Sequence, residues 1–228
     1  LDLCRVSNLP TVWTNVLAAS LLATGRFDLA SYLLLAFALS GFYLAGMSLN
    51  DICDVAHDRA HRPTRPIPSG RVTLRGAWGI TVALFAGGLM LLAIAPDPRG
   101  VLAGLLLLTA IVAYDFHHKG NPLSVLLMAA CRFLVFMVVA LALTGSVPSP
   151  VLVAGGIQFA YGVVISLVAR HENARHAPYS FPVIPAMLAG IALLDGVVMA
   201  VFVSLAWLAA GVAGMLLTWA GQRYVRGD

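Results

Sequence analysis

Long apolar segments follow one another along almost the whole chain, with short polar loops between them. A bilayer core of about 30 Å requires about 20 predominantly apolar residues per helix, and most of these segments approach that length. We therefore predict an all-α integral membrane protein with about eight transmembrane helices, forming a single polytopic domain over residues 1–228. The predicted spans are Thr11–Thr24, Leu29–Leu49, Ala77–Ala95, Gly100–Tyr114, Leu123–Leu143, Pro150–Val168 and two helices within Ser180–Gly221.

The last apolar segment leaves the position of one turn open. It is long enough for two helices, and the turn between them could lie at Asp195-Gly196 or a few residues later near Ser204. The sequence does not choose between these two positions.

Composition excludes an ordinary soluble domain. Hydrophobic residues make up 60% of the chain and charged residues 11%, whereas soluble domains have roughly 25% charged residues. The mean hydropathy is +0.90. Cys4, Cys53 and Cys131 are far apart and form no CxxC motif, so we expect free thiols, in keeping with a reducing cytosolic face and a bilayer interior.

The cationic residues predict the orientation in the membrane. Eleven of the fourteen fall on one side, only Arg26 and Arg99 fall on the other, and Arg132 lies within a span. This asymmetry places both termini and the loops after the second, fourth and sixth spans in the cytoplasm. The net charge of +4 requires no nucleic-acid partner, because topology and contact with anionic membrane lipid or phosphate account for it.

An acidic cluster lies at the end of the second span, where Asn50 and Asp51 open a stretch that also contains Asp54 and Asp58. In helical spacing the three carboxylates fall within an arc of about 60° on one face. Like charges on one face repel one another, and a hard cation such as Mg2+ would remove that cost while accepting substrate phosphates as further ligands. The cluster therefore predicts phosphate chemistry at a membrane surface.

A basic, proline-rich loop follows these acids and contains Arg62, Arg65 and Arg71. Its prolines cannot continue a helix, so we expect the helix to end near His61 and the loop to return beside the acids. Guanidinium groups there would suit the oxygens of a diphosphate. The alternative is a juxtamembrane loop whose arginines make ion pairs and follow the positive-inside rule.

The pattern Asn-Asp-x-x-Asp-x-x-x-Asp, followed by Arg-Pro-x-x-Arg-Pro-Ile-Pro-Ser-Gly, resembles the UbiA superfamily of intramembrane prenyltransferases. The resemblance implies an all-helical fold around a central cavity, usually with nine spans. Eight are predicted here, so a terminal helix would be lost or would lie outside this sequence. The resemblance also implies that Asp51, Asp54 and Asp58 bind Mg2+, with Asn50 supporting them. The bound isoprenyl diphosphate would be ionised, and its prenyl group would pass to an aromatic or lipid acceptor.

A second polar group caps the fourth span, where Tyr114 precedes Lys119, the one lysine in the chain. This pair is similar to a family signature for diphosphate binding, and the alternative is an interfacial tyrosine beside a positive-inside lysine. The motif Tyr-Asp-x-x-His-Lys-Gly-Asn-Pro-Leu-Ser, with Cys131-Arg132 in the next span, resembles the EboC-like branch of the superfamily. We expect Arg132 to face a polar cavity, where it contacts diphosphate or pairs with Asp115.

A third polar group lies after the sixth span and belongs to a faint internal repeat, in which Asp54 corresponds to Glu172. The family normally has a second aspartate-rich motif here for a second Mg2+. This chain instead has Glu172 between Arg170 and Arg175, which puts two-metal chemistry in doubt. The two arginines could neutralise diphosphate directly, or they could be ordinary charges of a cytosolic loop.

These patterns lead to one functional hypothesis with two alternatives. We predict a Mg2+-dependent prenyltransferase whose active site faces the cytoplasm and which uses isoprenyl diphosphate and an unidentified acceptor. The alternatives are a terpene cyclase of the same fold and a non-catalytic transporter or lipid-binding protein. The predicted catalytic residues are Asp51, Asp54, Asp58 and Lys119, and the predicted substrate-binding residues are Asn50, Arg65, Tyr114, Arg132, Arg170 and Glu172.

Overall fold

The computed structural model describes residues 3, 5–117, 121, 124–174 and 181–224, and these form α-helices without strands. The fold prediction of an all-helical protein is thus confirmed. Within the described residues the helices are α1 (Leu9–Thr24), α2 (Leu29–Cys53), α3 (Val55–His61), α4 (Leu74–Ala93), α5 (Arg99–His117), α6 (Ser124–Thr144), α7 (Ser149–Ala174), α8 (Val183–Phe202) and α9 (Leu208–Gly221).

Six of the described helices, α2 and α4 to α8, are long and apolar enough to cross a membrane. The chain is a multi-pass membrane protein. Helices α1 and α9 are shorter, with 16 and 14 residues. The turn in the last apolar segment lies at Val203-Ser204, where the Ser204 hydroxyl accepts a hydrogen bond from the backbone N–H of Ala206. Of the two positions open in the sequence, the structure therefore selects the later one.

Helix α1 lies at the centre of the bundle and packs against α2, α6, α7, α8 and α9. Val16, Ala18 and Ala19 are fully buried there, and the alanines allow neighbouring helices to approach closely. Pro10 stands in the first turn, where no intrahelical donor is needed. Because several helices meet α1, its polar side chains face protein on most sides.

Close helix crossings depend on small residues. At the α2–α4 crossing, a Cβ added to Gly41 would lie 2.9 Å from the carbonyl oxygen of Leu84. At the α8–α9 crossing, a Cβ on Gly196 would lie 2.7 Å from the Cα of Gly211. Backbone occupies the space in both cases, so a larger residue requires the helices to move apart.

The acidic segment does not form one uninterrupted helix, although the predicted arc of carboxylates was based on continuous helical spacing. Helix α2 ends at Cys53 and α3 begins at Val55, so that Asp54 lies between them. The helical hydrogen bonds nevertheless continue, from the Asp54 N–H to the Asn50 carbonyl and from the Asp58 N–H to the Asp54 carbonyl, each at 2.9 Å. Helix α3 ends at His61, as the proline-rich loop predicted.

Candidate active site at the end of α2

The side chains of Asp51 and Asp58 converge on one guanidinium nitrogen. Arg65 Nη1 donates to Asp51 Oδ1 at 3.1 Å and to Asp58 Oδ2 at 3.0 Å. Both aspartates are buried, with 5% and 2% of their surface exposed. Two buried carboxylates facing the same point are costly unless a cation lies between them. The geometry therefore forms a cation-binding point, and in this structure the arginine supplies the cation.

The loop between α3 and α4 brings Arg65 back to the acids. Its backbone turns through hydrogen bonds from Ser69 N–H to the Arg65 carbonyl, at 3.0 Å, and from Val72 N–H to the Pro66 carbonyl, also at 3.0 Å. Gly70 adopts φ = 77°, which favours glycine. Ile67, a residue of this loop, is buried and anchors the loop to the protein. The basic loop thus returns beside the acids, as the sequence predicted.

The donor set suits Mg2+ even though the three aspartates do not close on one point. Among the described residues, no group of three His, Cys, Asp or Glu side chains lies close enough to hold a metal ion. Magnesium commonly uses one or two carboxylates together with substrate phosphates and water. Asp51 and Asp58 supply two hard oxygen donors at the position that the Arg65 cation occupies. Asp54, which lies between them in the sequence, is partly buried.

A third buried carboxylate lies near this point. Asn50 Nδ2 donates to Asp115 Oδ1 at 3.3 Å, which joins the end of α2 to the end of α5. Asp115 is 4% exposed. Its neighbour Tyr114 is partly buried and lies near enough to Asp115 and Asp54 to interact with their charges. The polar groups that cap the second and fourth predicted spans therefore meet, as expected of one site.

Arg5 is a member of this site that the sequence analysis missed. Its Nη2 lies 3.9 Å from Asp51 Oδ1, and its carbonyl accepts a hydrogen bond from the Tyr43 hydroxyl at 3.1 Å. Its backbone is left-handed, with φ = 42°, which is uncommon for a residue with a side chain. No motif surrounds Arg5, so the only available signal was its charge near the start of the first span.

Arg132 lies deeper, on α6, and its Nη1 donates to Asn15 Oδ1 on α1 at 3.1 Å. It does not pair with Asp115, which was one of the two alternatives. Asn15 in turn donates from Nδ2 to Asp195 Oδ2 on α8 at 2.7 Å. Arg132 therefore belongs to a polar group inside the bundle. This agrees with the expectation that a cation within a span faces polar protein groups and not lipid.

A comparison with known protein families identifies the chain at this point. The model of the UbiA prenyltransferase family matches residues 10–225. The chain belongs to the UbiA prenyltransferase family. This confirms the resemblance inferred from the segment that contains Asp51, Asp54, Asp58 and Arg65.

Curated relatives and solved structures of the UbiA family agree with this assignment. Digeranylgeranylglyceryl phosphate synthase of Methanoculleus marisnigri is 40% identical over 85 residues, which are 37% of this chain and 30% of that protein. The chain spans less than half the length of the curated relatives it matches. A solved structure concerned with digeranylgeranylglyceryl phosphate synthase has a TM-score of 0.68 at 19% identity and covers 98% of this chain and 85% of its own.

A UbiA homologue from Archaeoglobus fulgidus, solved with DMAPP and Mg2+, has a TM-score of 0.62 at 18% identity. It covers 98% of this chain and 85% of its own. At such identities these structures establish the shared UbiA fold.

Arg170 and Glu172, two further predicted site residues of this UbiA-family chain, do not join the acids within the described residues. Arg170 Nη2 donates to the Asn121 carbonyl at 2.9 Å and to Ser124 Oγ at 3.0 Å, and so ties α7 to the start of α6. Glu172 is partly buried and makes no ion pair within the described residues. Lys119 and Arg175 lie outside the described residues, and their predicted roles stay predictions.

Proposed function

We propose that this chain transfers a prenyl group from an isoprenyl diphosphate to an acceptor, at the site formed by the end of α2 and the following loop. The observation that carries this proposal is the convergence of buried Asp51 and Asp58 on the single nitrogen of Arg65. A cation-binding point at the end of a membrane-spanning helix suits a substrate with an anionic head and an apolar chain.

Asp51 and Asp58, with Asp54 close by in sequence, would hold Mg2+ together with the diphosphate. The bound metal would stabilise the negative charge that grows on the diphosphate as the C–O bond breaks. The UbiA homologue from Archaeoglobus fulgidus was solved bound to DMAPP and Mg2+, and that pairing of ligand and metal in a family member supports this assignment.

Arginines would share the neutralisation of the leaving group. Arg65 already lies between the acids, and Arg5 approaches them from the chain segment before α1. Positive side chains beside the bound diphosphate stabilise the negative charge that develops on it as the bond breaks. Arg132 and Lys119 complete the proposed set, with Arg132 contacting the diphosphate from within the bundle.

The prenyl chain would lie among the helices, because its carbons have no favourable place in water. Exclusion of water there would protect the allylic cation from hydrolysis. The distribution of lysine and arginine supports an opening of the site to the cytoplasm.

The acceptor is less defined than the donor. Relatives named digeranylgeranylglyceryl phosphate synthase make a prenylated glyceryl phosphate the first acceptor class to test. An acceptor of that class would bring a second anionic group to the site, and the surplus of arginines over acids is compatible with it.

The test is diphosphate release by the purified chain in lipid vesicles with Mg2+ and prenyl diphosphates of increasing chain length. We expect release with at least one length, and we expect Asp54→Ala to abolish it. Products with and without acceptor separate transfer from cyclisation. Absence of release with every length, together with transport that Asp54→Ala leaves unchanged, would overturn the proposal in favour of a transporter.

A further inference from the structure

A buried carboxylate at the centre of α8 has no role in the site described so far. Asp195 is fully buried, and it accepts three hydrogen bonds from two other helices. Thr14 Oγ1 and Asn15 Nδ2 donate to its Oδ2, each at 2.7 Å, and Gln158 Nε2 donates to its Oδ1 at 2.6 Å. A charged group in the interior of a membrane domain is expensive, so it commonly has a function.

The amide of Asn15 connects this carboxylate to Arg132. Its nitrogen donates to Asp195, which fixes the amide orientation and turns its oxygen toward the guanidinium, 3.1 Å away. Anion, amide and cation thus form a line in which each hydrogen bond polarises the next. The two charges are paired through a neutral side chain that is itself 1% exposed.

Bridging in this way leaves Arg132 able to bind something else. A guanidinium has five N–H donors, and within the described part of the chain the bond to Asn15 is the one that Arg132 makes. Arg132 is partly buried. None of its nitrogens is a fully buried polar atom that lacks a hydrogen-bond partner within the described residues.

From these contacts we infer that Asp195 is a positioning residue: through Asn15 it holds Arg132 with its free N–H groups presented to an anionic oxygen of the substrate. This inference rests on the proposed function, in which that oxygen belongs to the diphosphate. Thr14 and Gln158 fix the carboxylate, and Asn15 transmits its position and its charge.

The experiment measures binding of inorganic diphosphate with Mg2+ to the full chain in detergent, by calorimetry, and unfolding temperature in parallel. Arg132→Gln should weaken binding by roughly ten- to a hundredfold, the size of one hydrogen bond to a charged group. Asp195→Asn keeps the shape but removes the charge, and it should weaken binding in the same direction by about threefold or more. The double variant should bind no more weakly than Arg132→Gln alone, because both changes act on one contact.

A charge swap provides the rescue. In the variant Asn15→Asp/Asp195→Asn, the carboxylate moves to α1 beside Arg132, and an amide on α8 can donate to it. Net charge and the line of hydrogen bonds are kept, so we expect binding to return to within about threefold of the unsubstituted chain. Thr218→Val is the matched control, since within the described residues this buried hydroxyl bonds only the Gly214 carbonyl of its own helix. It should change the unfolding temperature without changing binding.

The outcomes separate this inference from the proposed function. If the unsubstituted chain does not bind diphosphate with Mg2+, the proposed function fails. If it binds and Arg132→Gln binds equally well, or Asp195→Asn binds like the unsubstituted chain, the positioning role is wrong. If Asp195→Asn does not fold, the swap decides: a folded swap with restored binding supports the inference, and a swap that binds weakly or does not fold overturns it.

Discussion

Nη1 of Arg65 lies 3.1 Å from Oδ1 of Asp51, although the two residues belong to different elements, a loop and the last turn of α2. The same nitrogen also contacts Asp58. One cationic nitrogen therefore compensates two buried carboxylates. A divalent ion bound at this place would have to displace the guanidinium of Arg65. Metal binding and the position of the loop are consequently linked.

Replacement of Arg65 by glutamine should increase the stabilisation that Mg2+ provides. In the variant the two carboxylates lack their cation, so the metal gains more by binding than it does when it displaces a guanidinium. We expect the variant to unfold at a lower temperature without Mg2+ and to show a larger upward shift with it. Arg59→Gln, an exposed arginine on α3, is the control. Equal shifts in all three proteins would contradict the linkage.

Asp51→Asn and Asp58→Asn should each reduce diphosphate release by about a hundredfold or more, because each removes a charged oxygen donor from the proposed metal site. Asp28→Asn is the matched control. Asp28 caps the beginning of α2, at the end opposite to Asp51, where it accepts a hydrogen bond from Ser31 N–H at 2.9 Å. Its substitution should leave release nearly unchanged. Retained activity in either site variant would count against the assigned ligands.

Asn50→Ala should destabilise the protein by about 1–3 kcal/mol, because it takes a hydrogen bond from the buried carboxylate of Asp115. Thermal unfolding in detergent measures the effect. Thr109→Ala on α5 is the comparison, since among the residues that the structure describes this exposed hydroxyl bonds only the carbonyl of Leu105 in its own helix. If both variants unfold at the same temperature as the unsubstituted chain, the contact contributes no stability.

Gly196→Ala should cost about 1–3 kcal/mol, the usual penalty for overpacking a close contact. Its new Cβ would meet the backbone of Gly211, which cannot move unless α8 and α9 separate. Gly156→Ala on α7 is the control, because a Cβ there meets nothing within 4 Å. We expect a lower unfolding temperature for the first variant only, and a similar result for both would refute the role of this crossing.

Local patterns in the sequence were sufficient for the helices and for the acidic end of α2. Apolar runs near the length of a bilayer predict spans because each helix satisfies its own backbone groups. Asp51, Asp58 and Arg65 lie within a short segment, so helical spacing and the prolines already placed them on one side. The detailed geometry differed, since α2 ends before Asp54 and one arginine nitrogen joins the outer two acids.

The sequence by itself thus determined the membrane class and the acidic segment, which follow from short-range patterns, and its motifs indicated the family by resemblance. Only the tertiary structure decided the environment of Asp195, which the sequence left as one of two possible positions for a turn. Asn15 and Asp195 are 180 positions apart, yet they are hydrogen-bonded inside the bundle. A buried aspartate is tolerated in a helix interior when other helices supply its donors, and no local pattern reveals which helices those are.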